Sequence, residues 1–495
     1  MKKQTKRLIQ QIKKRVSNIS SLSPLYNSCK LAEKELIYPM RIAISGEIKT
    51  GKSTLLNAFM GINIVPTAVE VMTYNINWFH HISQSPNQKE CFIVHYINGN
   101  SETRPLEEIA LFVGYDEDKT ELINSIDWVD AYVNQPLLEK FDLIDTPGLD
   151  SLLGTDSKHT QDLLTTNANR PDAIIYLVNK EFKKGDIKAV GDFNKATGLL
   201  SGINSVAALT RIDEMNGYHD AAINNIENAK QDVQLRYNFA DIYSIAALPA
   251  IAAHYLTDVE ITSLHELANE PNVKTLISTK PYFESSNWKS FDLRNSLLYK
   301  LSISGIKLVT SYFQQNPNAT ITDCRNYLYD FSHIEQLKKS IITRFGERAD
   351  FHKSNRVLAE LRKTCNTLSK NKQLVSTDRQ LLQQVRSLIQ QFEIELHKTY
   401  AEYYLLSDYY NQETYFEENE WERIKRLLGE GGKSIYDRLG LPLNATDNDI
   451  KEAYSQELEY WQNRFRRAKV VGMPIVQQKT EIILNVLQNL LDKSL

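Results

Sequence analysis

A chain of 495 residues is too long for a single hydrophobic core, and roughly two to four domains are expected. Hydrophobic residues make up 42% and charged residues 24%, which excludes a disordered or fibrous chain, and the formal net charge of -3 gives no global field that would draw in nucleic acid. No apolar run approaches bilayer length, the first residues lack the apolar core of a signal peptide, and cytoplasmic placement is expected. Cys29, Cys91, Cys324 and Cys365 are too scattered for a disulfide framework or a metal site, so reduced, buried thiols are expected. His80-His81 has no further ligand at metal spacing and reads as a strand edge or a loop.

Residues 1–37 begin with seven basic residues before position 16 (Lys2, Lys3, Lys6, Arg7, Lys13, Lys14, Arg15), while Leu8, Ile12, Val16 and Ile19 recur at helical spacing. This is a basic amphipathic helix. Two readings stay open: a helix docked on the protein's own helical part, or peripheral contact of residues 1–20 with an anionic membrane surface. Arg41–Ser45 reads as a buried strand, and Gly46 to Ser53 then fits G-x-x-x-x-G-K-[ST] ahead of an apolar helix, Thr54–Met60, closed by Gly61. Gly46 and Gly51 let the backbone curl so that N–H groups of the loop, Lys49, Thr50 and Thr54 included, face phosphate oxygens. Lys52 is placed to reach the β- and γ-phosphates and the Ser53 hydroxyl to hold Mg2+.

Residues 62–79 run from loop-like to strand-like. A threonine in such a loop can complete a magnesium shell and touch the γ-phosphate. Thr73 is the first choice and Thr67 the alternative. Strands are expected at Cys91–Asn98, Trp128–Asn134 and Phe141–Ile144, with an acidic helical connection between the first two. The third strand runs into Asp145-Thr146-Pro147-Gly148, about 90 residues after Lys52. Asp145 suits a magnesium-bound water, and Gly148 lets a backbone N–H approach the γ-phosphate. Strands follow at Asp172–Val178 and Ser205–Leu209, the latter entering Thr210-Arg211-Ile212-Asp213. This run resembles the [NT]-K-x-D guanine-recognition motif, with Arg211 in place of its lysine. A buried Asp213 would accept hydrogen bonds from guanine N1–H and its amino group, a pair adenine cannot offer, and the stem of Arg211 would cover the base as a lysine stem does. A further strand, Asp241–Ala247, ends where a backbone N–H near Ala247 meets guanine O6.

These motifs, in this order, resemble the GTPase domain of the bacterial dynamin-like family, over roughly residues 38–353. The resemblance implies an α/β phosphate-loop GTPase domain with a mostly parallel sheet flanked by helices, and GTP binding and hydrolysis with Mg2+. Lys52, Thr73 and Lys49 then serve catalysis and Ser53, Thr73 and Asp145 serve the metal. The nucleotide contacts are Gly46, Lys49, Thr50, Gly51, Lys52, Ser53, Thr54, Gly148, Thr210, Arg211, Asp213 and Ala247. Leu149 follows the Asp-Thr-Pro-Gly run, so no glutamine stands there to orient water. The family dispenses with that glutamine and aligns loop residues by dimerisation across the nucleotide face. Lys49 stands where guanylate-binding relatives carry an internal arginine finger; it is either that group or a solvated loop lysine.

Glu360–Lys425 reads as long helix, opened by a capping box at Thr377–Gln380 and bearing an apolar face of Leu381, Val385, Leu388, Phe392 and Leu396. It is expected to pair with Phe351–Ser369 as a hairpin or to pack on the N-terminal helix, and by resemblance to act as a short stalk. Asp408–Glu422, with six acidic residues among aromatics, reads as a helix end packed by its rings, ahead of a linker at Gly429–Gly432. Residues 434–495 resemble a J domain, a small all-helical module, except that Gln462-Asn463-Arg464 stands where that family carries His-Pro-Asp after the second helix. The resemblance implies a docking module for an unidentified protein partner rather than an active co-chaperone. The division expected is 1–37, 38–350, 351–430 and 431–495. The function expected is a GTPase switch or mechanochemical assembly protein activated as a homodimer. The alternative is a GTP-binding scaffold with negligible turnover whose J-like tail recruits partners.

Overall fold

The computed structural model describes residues 2–47, 49–62, 64–65, 76–113, 120–146, 171–183, 185–188, 190–191, 202–215, 218–346 and 348–492. Thr67, Thr73 and Gly148 lie outside the described residues. The chain divides into two compact units: Pro39–Leu199 with Asn204–Ala349, and Met1–Tyr38 with Leu200–Ile203 and Asp350–Leu495.

The first unit is built on a nine-stranded sheet of order β4-β3-β5-β2-β6-β1-β7-β8-β9. Its strands are β1 (Met40–Gly46), β2 (Ile76–His81), β3 (Cys91–Tyr96), β4 (Ser101–Pro105), β5 (Ile126–Val133), β6 (Phe141–Asp145), β7 (Ala173–Asn179), β8 (Gly202–Thr210) and β9 (Phe239–Ser244). Strands β6, β1, β7 and β8 pair in parallel, and every residue of β1, β6 and β8 is buried, as expected for strands covered on both faces. Parallel pairing sends the carboxyl ends Gly46, Asp145, Asn179 and Thr210 to one edge of the sheet, where ligands of such folds bind. β2 turns the sheet antiparallel at β6. One face carries a large core through Leu55, Leu56, Phe79, Phe92 and Phe141, and the helices between residues 247 and 331 add a second core around Leu264, Leu297, Leu301 and Phe313.

Three expectations are corrected in this unit. The connection between β3 and β5 opens with a strand, β4, whose residues alternate exposed and half-buried as a hairpin partner of β3. The strand expected at Asp241–Ala247 stops at Ser244, and Ala247 begins a helix, Ala247–Tyr255. His80 is on neither an edge nor a loop. It sits in β2, between β5 and β6, with Nε2 3.1 Å from Asp130 and Nδ1 3.2 Å from the fully buried Asp142. Burial alone would lower the imidazole pKa, but the Asp142 charge and the Asp130 bond hold it up at about 10. Asp130 is buried too, which pushes its carboxyl up, yet its bonds to His80 and His95 outweigh this and hold it below the ordinary range.

The second unit is helical. Residues 1–37 form two helices, Lys2–Val16 and Ser23–Ile37, rather than one. Leu8, Ile9, Ile12 and Val16 share a core with Leu25, Leu36, Leu358, Leu361, Val385 and Ile389, so the apolar face of the basic helix is covered by its own protein. Its cations stay outside, Lys3, Lys6, Arg7, Lys14 and Arg15 being exposed. The long helix expected from 360 to 425 is four: Ala349–Ser369, Ser376–Thr399, Ala401–Tyr410 and Glu418–Leu427. The capping box at Thr377 does not form, because the helix starts two residues earlier than that box requires and Val375 occupies the cap position. Tyr409, Phe416 and Trp421 pack with Trp461, so the acidic aromatic stretch is a packed helix end. All four cysteines are free and buried.

The C-terminal helices Asp447–Val471 and Pro474–Asp492 form a hairpin, the first opened by a Thr446–Asp449 capping box. Gln462-Asn463-Arg464 lies inside the first helix, where Arg464 bonds Glu420 at 2.7 Å. The turn between the helices falls at Gly472-Met473 instead, because the apolar spacing that keeps Trp461 and Ala468 buried carries the helix on to Val471.

Candidate functional site

The site begins where β1 ends. Gly46 takes φ 150°, and a Cβ there would lie 2.5 Å from the Leu177 carbonyl and 2.9 Å from Thr50 Oγ1, so only glycine fits. Gly51, at φ 92°, caps the Lys52–Met60 helix, which points its positive end at the loop. Thr50 is buried and donates to Glu47 O at 2.8 Å, fixing the loop's curvature. Lys52 is buried, and its ammonium donates to Gly46 O at 3.2 Å and Glu47 O at 2.9 Å, so its charge lies within the loop. Lys49 is exposed at φ 66°.

Asp145 reaches this edge because β6 pairs in parallel with β1, Ile44 opposite Asp145. Ser53 Oγ and Asp145 Oδ2 stand 3.5 Å apart. A hydroxyl and a carboxylate, both hard oxygen donors, suit Mg2+, which is held by one or two such side chains together with phosphate oxygens and water. Among the described residues no group of three or more His, Cys, Asp or Glu could hold a metal ion.

The third element is the end of β8. Thr210 Oγ1 donates to Thr50 O at 2.8 Å, tying this strand to the phosphate loop. Arg211, at φ 60°, donates to Lys49 O at 3.1 Å and to Glu214 at 3.2 Å. Asp213 is 3% exposed; burial first, and the Glu214 charge second, push its pKa up to about 6. A cavity of about 470 Å3 joins these parts: Thr50, Gly51 and Thr54 on one side, Thr210, Arg211 and Asp213 on another, and Ala247 at the start of its helix. The structure thus brings together every described residue that the sequence assigns to the phosphate loop, to Asp145 and to Thr210–Asp213.

Two features were not visible in the sequence. Asn57 is buried in the helix after the phosphate loop; its amide donates to Val65 O at 2.7 Å and accepts from the N–H groups of Ile64 and Val65. It anchors the chain just before the segment that holds Thr67 and Thr73. A buried asparagine followed by a polar-poor loop is the only sequence signal for it. The cavity also has a further wall, Lys280, Glu284, Asn295, Leu298, Tyr299 and Ser302, supplied by the helices Lys280–Ser285 and Phe291–Gln315. Nothing in its local sequence marks it.

Residues 42–186 match the family model described as Dynamin family. The chain is 25% identical over 450 residues to the Isoniazid-induced protein IniC of Mycobacterium tuberculosis, covering 87% of this chain and 85% of that protein. It is 28% identical over 223 residues to Dynamin-like protein 2 of Campylobacter jejuni, covering 44% of this chain and 33% of that one. A solved structure described as part of an oligomerised bacterial dynamin pair aligns over 99% of this chain and 90% of its own, at 16% identity and a TM-score of 0.37.

Proposed function

We propose that this chain, whose fold is that of a dynamin-like GTPase, binds GTP with Mg2+ and hydrolyses it to GDP and phosphate. The observation that carries the reading is the Thr210–Thr50 hydrogen bond, which joins a phosphate-type loop and a buried carboxylate, Asp213, around one cavity. The loop's N–H groups and Lys52 hold the phosphates, Asp213 reads the guanine edge, and Arg211 covers the base. Ser53 and Asp145, with Thr73, would hold magnesium, which when bound offsets charge on the β- and γ-phosphate oxygens. Lys49 supplies further positive charge to the transferring phosphoryl group in cis. Calorimetry with GDP, GTP and ATP tests the reading. GTP and GDP should bind and ATP should not, and Asp213→Asn should weaken guanine nucleotides about a hundredfold. Equal binding of ATP and GTP by the native chain refutes it.

A second surface favours peripheral contact with an anionic membrane. At the turn of the C-terminal hairpin Val470 is 86% exposed, with Val471, Met473 and Ile475 exposed beside it and Arg466, Arg467 and Lys469 exposed on the same stretch. An apolar wedge ringed by cations is the chemistry of an anionic lipid interface, whereas the N-terminal helix has only its charged face to offer. No described helix is long and apolar enough to cross a membrane. The native chain should sediment with phosphatidylglycerol vesicles and not with phosphatidylcholine ones. Val470→Asp with Val471→Asp should abolish this; unchanged sedimentation rules the hairpin turn out.

A further inference from the structure

The wall that the sequence does not announce holds the most unusual residue of the cavity. Ser302 interrupts the Phe291–Gln315 helix at φ 57°, ψ 176°, backbone territory that glycine enters readily and serine does not. Its hydroxyl oxygen is buried and meets no hydrogen-bond partner among the described residues. A strained backbone and an orphaned buried hydroxyl are separate costs, and both fall on one residue lining the cavity.

The break is not slack in a loose helix. Before it, Leu297 and Leu301 are fully buried, and Lys300 and Ser296 bind Glu260 of the helix Asp258–Ala268, the ammonium at 2.8 Å from both carboxylate oxygens. Arg294 ties the same segment to the carbonyls of Glu284, Trp288 and Lys289. After it, Ile306, Val309 and Phe313 are buried in the same core. Packing on both sides therefore over-determines the conformation of Ser302, the condition under which strain persists and is informative.

We infer that Ser302 is a nucleotide-contacting residue, whose hydroxyl hydrogen-bonds the base or sugar of a guanine nucleotide held between Asp213 and the Asn295–Tyr299 turn of its helix. This rests on the guanine-nucleotide reading of the cavity. The hydroxyl oxygen is occluded as it stands, so a turn about χ1 brings it into the cavity, where the ligand supplies the hydrogen bond it otherwise lacks. Tyr299, one turn earlier on the same helix, and Asn295, two turns earlier, line the same cavity. The base site then has three walls, and its affinity depends on a helix that begins 78 residues downstream of Asp213.

Two substitutions separate strain from contact. Ser302→Gly relieves the backbone and removes the hydroxyl; Ser302→Ala keeps the backbone cost and removes the hydroxyl alone. In the full-length chain, GDP affinity by calorimetry should fall roughly tenfold in both variants. The thermal midpoint without nucleotide should rise in Ser302→Gly, so that a more stable protein binds its ligand less well. A purely structural serine would move the midpoint and leave GDP affinity within about twofold, and that outcome overturns the inference while native GDP binding keeps the parent reading intact. Failure of the folded native chain to bind GDP at all overturns both.

Discussion

Gly46 and Asp213 are the two residues whose surroundings leave least choice. At Gly46 the constraint is steric: any side chain would drive into the Leu177 carbonyl, so the loop cannot close on phosphate without glycine there. At Asp213 the constraint is electrostatic, and it makes a pH prediction. Burial raises the carboxyl from 3.8 to about 6, while the guanine contact proposed for it requires the ionised form, which accepts both N–H groups. GDP affinity should therefore be flat above pH 7 and weaken below about 6, approaching tenfold per pH unit. Asp213→Asn should remove that dependence, and calorimetry from pH 5 to 8 measures it. The nucleotide-free fold behaves in the opposite sense. A carboxyl whose pKa is higher folded than unfolded favours the fold when protonated, so this group's contribution falls as pH rises from about 4 to about 6.

At the scale of elements, the sheet carries a charge network away from the nucleotide edge. His80 on β2, His95 on β3, Asp130 on β5 and Asp142 on β6 meet because the register of four strands puts them side by side, and the His95 ring lies 2.9 Å from Asp130 and stacks on Trp128. His80 is protonated in the folded state up to about pH 10, against an ordinary value of 6.5. A raised pKa on a base gives stability that is complete below about 6.5 and is lost as pH rises through 10. His80→Gln leaves Asp142 buried without its cation and should cost about 3–5 kcal/mol at pH 7 by chemical denaturation, with the gap to the native chain narrowing by pH 10. A gap that stays constant over that range would assign the loss to packing. This network also shows what a sequence hides. The phosphate loop, Asp145 and the Thr210–Asp213 run were legible because phosphate and guanine chemistry demand residues at short, fixed spacing after strands. His80 reads from sequence as a strand edge or a loop because its partners, Asp130 and Asp142, come from two other strands, and β4 was missed because a short exposed hairpin strand of polar residues has no apolar signal. The Ser302 wall is a product of tertiary approach, and a serine at positive φ looks like any other serine until the helix is folded.

At the scale of the whole molecule, the question is what completes the catalytic group. Leu149 follows the Asp-Thr-Pro-Gly run in place of a water-orienting glutamine, and the side chain of Lys49, the loop cation proposed to act beside Lys52, is exposed while its backbone carbonyl accepts from Arg211. An exposed cation in high dielectric stabilises a developing negative charge weakly, because water screens it. Covering the nucleotide face with a second copy of the chain removes that water and strengthens the same charge without any new residue. Turnover per molecule should then rise with protein concentration at saturating GTP and level off once the dimer saturates, as phosphate release from about 0.1 to 50 μM protein would show. Lys49→Ala should lower the plateau by tenfold or more with GTP affinity little changed, since its charge acts where charge develops rather than where the ground state binds. A rate per molecule that is flat across the range places the complete catalytic group within one chain. A normal plateau in Lys49→Ala removes the lysine from it and leaves the dimer to supply the missing charge from elsewhere.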